Sequence, residues 1–129
     1  YNLSDGKQVK GFSDVFFCPL LVNDLAHILL RMLTMDLSGL YHVFSRECLS
    51  KYEFGVRIAK HFGLDEGLIV PTAVAEGGLR AQRSPCLTMD SSKLARVLGK
   101  DLPDVDEGIE RFYRLYGDGY VERIKSLVV

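Results

Sequence analysis

No stretch of this chain stays apolar for the ~20 residues that a membrane-spanning helix needs. An uncharged run such as Val15 to Asn23 is far shorter and carries Pro19. Charge of one sign is missing too. Sixteen Lys and Arg face seventeen Asp and Glu, for a formal net charge of −1, which builds no positive field to select nucleic acid or anionic lipid. Cysteine is scarce: Cys18, Cys48 and Cys86 are odd in number and far apart, with no Cys-x-x-Cys. The expectation is three buried, reduced thiols in a cytoplasmic protein. The histidines His27, His42 and His61 do not cluster with them in sequence, as a metal site requires. The first residues, Tyr1 to Gly6, carry no basic-then-apolar leader.

What is present is an ordinary globular composition, 47% apolar and 26% charged over 129 residues, the size of one domain. Gln8 to Phe12 reads as a strand after the Asp5-Gly6 turn, and Val15 to Leu21 as a second extended run. Asn23 can cap a helix from Asp24 to Met35, in which Leu25, Ile28, Leu29, Met32 and Leu33 recur at helical spacing. Leu40 to Phe44 reads as a buried strand. Ser50-x-x-Glu53 is a capping box for a helix over Lys51 to Phe62, closed by Gly63. Gly67 to Pro71 reads as a short strand, and Ala73 to Pro85 as loop with room for one helical turn. Leu87 to Met89 is extended. Asp90 or Ser91 caps a helix to Leu98 with Gly99 as its stop. Pro103-Asp104 opens the next helix, with Val105, Ile109, Phe112 and Tyr116 as its stripe. Gly117-Asp118-Gly119 breaks it, and a last helix follows from Tyr120. Short strands among amphipathic helices make an α/β (α+β) domain, and periodicity says nothing about a substrate.

The order of several motifs says more. Gly6-Lys7-Gln8-Val9 leads into Phe12-Ser13-Asp14-Val15-Phe16-Phe17-Cys18-Pro19, then Leu21-Val22-Asn23-Asp24-Leu25-Ala26. Ser38-Gly39-Leu40-Tyr41-His42-Val43 and Leu49-Ser50-Lys51-Tyr52-Glu53-Phe54 follow. Arg83-Ser84-Pro85 and Leu87-Thr88-Met89-Asp90-Ser91-Ser92-Lys93-Leu94 come last. From about position 3 to 116 this series resembles the C-terminal, substrate-binding half of the RmlD-like dTDP-4-dehydrorhamnose reductases, members of the extended short-chain dehydrogenase/reductase superfamily. Two departures stand out: Ser84 separates the arginine from its proline, and Cys86-Leu87 replace a polar pair.

The resemblance implies a fold, a role and a division of labour. The fold is the C-terminal part of a Rossmann-type reductase. The role is recognition of a nucleotide-diphosphate sugar by residues 1–129 as one domain. Hydride from NAD(P)H is the business of an N-terminal Rossmann domain that this chain lacks. These enzymes share a Gly-rich turn and a Tyr-x-x-x-Lys pair, the lysine lowering the phenol's pKa for proton transfer. Here the residues four places after the six tyrosines are Asp5, Ser45, Val56, Gly117, Tyr120 and Ile124. The one Gly-x-Gly, at Gly117, follows a helix rather than a strand, and a dinucleotide fingerprint needs strand–turn–helix context. The chain alone is therefore expected to catalyse nothing and to bind no cofactor.

By the same resemblance Arg83 is the candidate for the diphosphate, since a guanidinium fork suits phosphate oxygens. Arg80 is its alternative, Gln82 a candidate for a sugar hydroxyl or base, and Phe17 a ring that can stack on either. The plain alternatives are a solvated loop for the arginines and core packing for Phe17. Asp14 reads as a turn or capping residue and His42 as a structural histidine. A strand at Leu40 to Phe44 belongs, in the family, to the cofactor-domain sheet. Without that sheet an exposed apolar edge is expected, covered by self-association or by the C-terminal helices. A second reading is a non-catalytic interaction module, since some regulatory subunits resemble these reductases.

Overall fold

The computed structural model describes residues 2–78, 81 and 84–127. The elements run β1 (Val9–Phe12), β2 (Phe16–Phe17), α1 (Val22–Leu33), β3 (Leu49–Ser50), α2 (Lys51–His61), β4 (Ile69–Thr72), β5 (Cys86–Leu87), α3 (Ser92–Leu98), α4 (Val105–Gly117) and α5 (Tyr120–Leu127). Single 3-10 turns lie at Glu66–Leu68 and Val74–Glu76. This is the α/β arrangement of short strands and helices expected from the sequence.

Two small sheets organise it. β1 and β4 pair in parallel, Val9 opposite Ile69 through Phe12 opposite Thr72. The other sheet has the order β3-β2-β5, antiparallel between β2 and β3 and parallel between β2 and β5. The chain returns to β4 through α2, the helical crossover that a parallel pair requires. α2 lies close on β1: a Cβ built on Gly11 falls 2.9 Å from the Tyr52 Cα, so a residue without a side chain is what lets helix and strand touch.

Apolar packing falls into two clusters. Ile28 of α1 meets Leu94 and Leu98 of α3 and Leu102, with Met32, Tyr41 and Val43 against them. Leu49 of β3 meets Val105 and Ile109 of α4, with Phe54 and Ile58 of α2 alongside. Three helix termini follow the sequence signals. Ser50 and Glu53 form the reciprocal capping box of α2, and Asp104 with Glu107 forms another at α4. Gly99 takes a left-handed conformation (φ 67°) to close α3.

Several expectations need correction. Leu40 to Phe44 is not a strand, and Leu40 is 74% exposed. The backbone of this run is satisfied by side chains instead. The Ser91 hydroxyl accepts from the Phe44 N–H and donates to its carbonyl, and Lys93 Nζ donates to the Leu40 carbonyl. An extended run becomes a strand only where another strand supplies the ladder, and none of the described strands pairs with it. α1 starts at Val22 after Leu21, with no side-chain cap. Asn23 instead donates through Nδ2 to the Tyr120 hydroxyl at 2.9 Å, which ties α1 to α5. Nor are the cysteines three buried thiols: Cys18 and Cys48 form a disulfide, and Cys86 is free and exposed. The two sulfurs meet because β2 and β3 run antiparallel, a pairing that sequence separation does not reveal.

Candidate functional site

The three-stranded sheet carries Phe17, the candidate site residue that lies within the described residues. Phe17 of β2 is half-buried, and its ring packs edge-on against Phe54 of α2 with centroids 5.3 Å apart. Lys51, the first residue of α2, holds its ammonium 5.9 Å from the centre of the same ring. Lys51 is exposed. Its backbone N–H donates to the Val15 carbonyl, which fixes the start of α2 against β2. The ring therefore has both a packing partner and a cation beside it, an arrangement worth about 0.5–1 kcal/mol at an exposed site. Core packing and ligand contact are not exclusive for such a half-exposed ring.

The polypeptide between β4 and β5 delivers the other candidates. Its start is anchored by Asp14, whose two carboxylate oxygens accept the Val74 N–H at 2.9 and 3.1 Å. The acidic side chain thus caps the 3-10 turn from the bend between β1 and β2, sixty residues away in sequence. Lys10 Nζ reaches the Glu76 carbonyl at 3.5 Å. The far end enters β5, where Cys86 sits opposite Phe16 and Leu87 opposite Phe17. Arg80, Gln82 and Arg83 lie outside the described residues. What is described is the frame on either side of them, and its exit strand runs beside Phe17.

Lys51 is the residue that sequence reasoning missed. Nothing in its spacing distinguishes it from any exposed lysine, and only its place directly after the Ser50 cap marks it. His42 is half-buried, its ring 6.5 Å from that of Phe44. The Cys86 thiol is held below the usual cysteine range by the Thr88 hydroxyl and then the Thr88 backbone. Behind Phe54 lies a half-open apolar cavity of about 310 Å³, walled by Pro19, Leu21, Ile58, Ile109 and Phe112 as well.

Gly117 ends α4 and Gly119 precedes α5, so this Gly-x-Gly follows a helix rather than a strand. Among the described residues no group of three or more His, Cys, Asp or Glu is placed to hold a metal ion. No described helix is long and apolar enough to cross a membrane.

The sequence profile of the RmlD substrate binding domain matches residues 2–117. The chain belongs to this family. It is 26% identical over 117 residues to the probable low-salt glycan biosynthesis reductase Agl14 of Haloferax volcanii, covering 91% of this chain and 39% of that protein. Its fold matches a dTDP-4-dehydrorhamnose reductase from Bacillus anthracis, solved in complex with NADP, at 24% identity and a TM-score of 0.78, covering 87% of this chain and 40% of that one. A Clostridium acetobutylicum dTDP-4-dehydrorhamnose reductase matches at 22% identity and a TM-score of 0.81, covering 90% and 41%. This RmlD domain thus spans about two fifths of the length of the relatives it matches. It is a reductase-like substrate-binding domain of mixed α/β fold.

Proposed function

We propose that this RmlD domain, residues 1–129, is the substrate-recognition part of an NAD(P)H-dependent reductase acting on a nucleotide-diphosphate sugar. The cofactor-binding Rossmann domain belongs to the rest of the parent chain. Arg83 takes the diphosphate, with Arg80 beside it. Gln82 bonds a sugar hydroxyl or the base, and Phe17 offers its ring to the sugar or base. The observation that supports this reading lies at the described end of the segment: Ser84 and Pro85 lead into β5, and β5 pairs with the strand that carries Phe17. No step of hydride or proton transfer is assigned to these residues. The reading carries a cytoplasmic setting, where a reductase finds its reduced nicotinamide, and no nucleic-acid or membrane partner.

The apolar face left open on α1 is the surface we assign to the Rossmann domain. Val22, Leu29, Leu30 and Leu33 share one side of that helix, and Leu33 is 82% exposed.

Thymidine diphosphate titration tests the site. Arg83→Ala should weaken binding by about 1.5–3 kcal/mol, the worth of a hydrogen bond to a charged group, while Arg80→Ala weakens it less. Equal affinity of wild type and Arg83→Ala, or no binding by either, rules the assignment out.

A further inference from the structure

All three cysteines of the chain meet one small sheet. Cys18 follows β2, Cys48 precedes β3 and Cys86 opens β5. Phe16 pairs with Ser50 and Phe17 with Leu49, so Cys18 and Cys48 form the next opposed pair and their disulfide continues the ladder as a covalent rung. The strands it supports are two residues long each, below the usual 3–10. Backbone pairing alone does little to hold them.

The two ends of the disulfide differ. Cys18 is 3% exposed, and its sulfur accepts the Met89 N–H at 3.4 Å. Cys48 is exposed. Access and leaving-group stabilisation govern thiol–disulfide exchange, and here they fall on opposite sulfurs in the productive order. We infer that Cys18–Cys48 is a reversible dithiol–disulfide site that sets whether the Phe17 face is ordered for ligand. For the identity of the ligand this rests on the reading above.

The chemistry needs a dithiol reductant. One of its thiolates attacks the exposed Cys48 Sγ and forms a mixed disulfide. The Cys18–Cys48 bond breaks, and its electron pair leaves on Cys18 Sγ, where the Met89 N–H already points. The reductant's second thiolate then attacks its own sulfur in the mixed disulfide, closing a cyclic disulfide and releasing Cys48 as thiolate. Two electrons pass to the protein, the reductant loses two, and the cysteine thiolates take up the protons its thiols gave to water.

The consequence is local. With the rung gone, Phe17 is held by its two-residue ladders to β3 and β5, the edge contact to Phe54 and the exposed Lys51 ammonium, and the cavity of about 310 Å³ behind Phe54 leaves the Phe54 ring room to move. The cluster of Ile28, Leu94, Leu98 and Leu102 lies outside this sheet, and the Leu49 contacts with Val105 and Ile109 that join β3 to α4 do not run through the disulfide, so the helices stay folded.

The test uses a Cys86→Ser background, which removes the exposed thiol as an exchange partner. Hydrogen exchange of peptides spanning 16–18, 48–50 and 86–88, thymidine diphosphate titration and far-ultraviolet circular dichroism are followed before dithiothreitol, after it and after reoxidation. Reduction should speed exchange in those peptides and weaken binding, each by about tenfold (1.4 kcal/mol), with helix content unchanged and both effects reversed on reoxidation. Cys48→Ser should match the reduced state permanently. A disulfide that dithiothreitol leaves intact, unchanged exchange, unchanged affinity, or loss of helix on reduction each overturns the inference. Absence of binding in the oxidised protein removes the nucleotide-sugar reading alone, and hydrogen exchange then decides the redox site by itself.

Discussion

Gly11 shows how a single position sets a distance between elements. Its missing side chain lets the backbone of α2 come down on β1, and an added Cβ would stand 2.9 Å from the Tyr52 Cα and 3.1 Å from Ile69. Backbone cannot rotate aside as a flexible side chain does. Gly11→Ala is therefore expected to destabilise the fold by about 1–3 kcal/mol through overpacking, despite alanine's lower chain entropy when unfolded. Urea denaturation measures it, and a midpoint at or above that of wild type refutes the close-approach argument. Asp14 illustrates a residue whose role was half legible. An acidic residue at a turn announced a cap, but its partner, Val74, lies on another part of the chain. The disulfide was not legible at all. Three odd cysteines leave pairing open, and only the β2–β3 register brings Cys18 to Cys48.

Among elements, the helices were the readable part because their signals are local. Ser50-x-x-Glu53 sits where α2 starts, Asp104 where α4 starts and Gly99 where α3 stops. Leu40 to Phe44 has strand composition yet is irregular, because a ladder is a long-range property. The two capping boxes also make stability depend on pH. The Glu53 carboxylate is held below its usual range by the Ser50 backbone N–H and then the Ser50 hydroxyl. Asp104 is held low by the Glu107 backbone N–H and then by Arg46. Both groups bind protons more weakly folded than unfolded, so the stability they contribute is present above the ordinary carboxylate range, near pH 4, and is lost as the pH falls through it. Melting temperature should drop between pH 6 and pH 3, and the drop should be shallower in Glu53→Gln/Asp104→Asn. Parallel pH slopes in the two proteins would refute the role of the caps. Of the proposed site, the sequence marked Phe17 together with Arg80, Gln82 and Arg83, and the last three lie outside the described residues. Lys51 stayed hidden because its proximity to the Phe17 ring arises from α2 abutting β2.

At the scale of the molecule, the notable surface is apolar rather than charged. Along α1, Val22 and Leu33 are 69% and 82% exposed, and Leu30 lies between them on the same side at 62%. The opposite side of α1 is occupied: Asp24 pairs with Arg111 of α4, Arg31 donates to the Leu98 carbonyl, and Ile28 enters the core. Among the described residues the C-terminal helices leave Leu30 and Leu33 exposed, and α5 meets α1 at its start, where Asn23 bonds Tyr120. A contiguous apolar face of this kind is rare on an isolated monomer, and the expected sheet-edge origin gives way to a helix face. If a Rossmann domain covers it in the parent chain, then the 129 residues alone should associate through it. Light scattering at increasing concentration should show mass above the monomer's. Leu30→Glu/Leu33→Glu should restore the monomer while each change moves stability by only about ±0.5 kcal/mol, as exposed positions do. A wild-type chain that remains monomeric at millimolar concentration would mean that the leucine stripe has no affinity for itself. In that case its cover must be sought by adding in trans the Rossmann domain proposed for the parent chain, which should protect α1 amides from exchange in the wild type and not in the double glutamate variant.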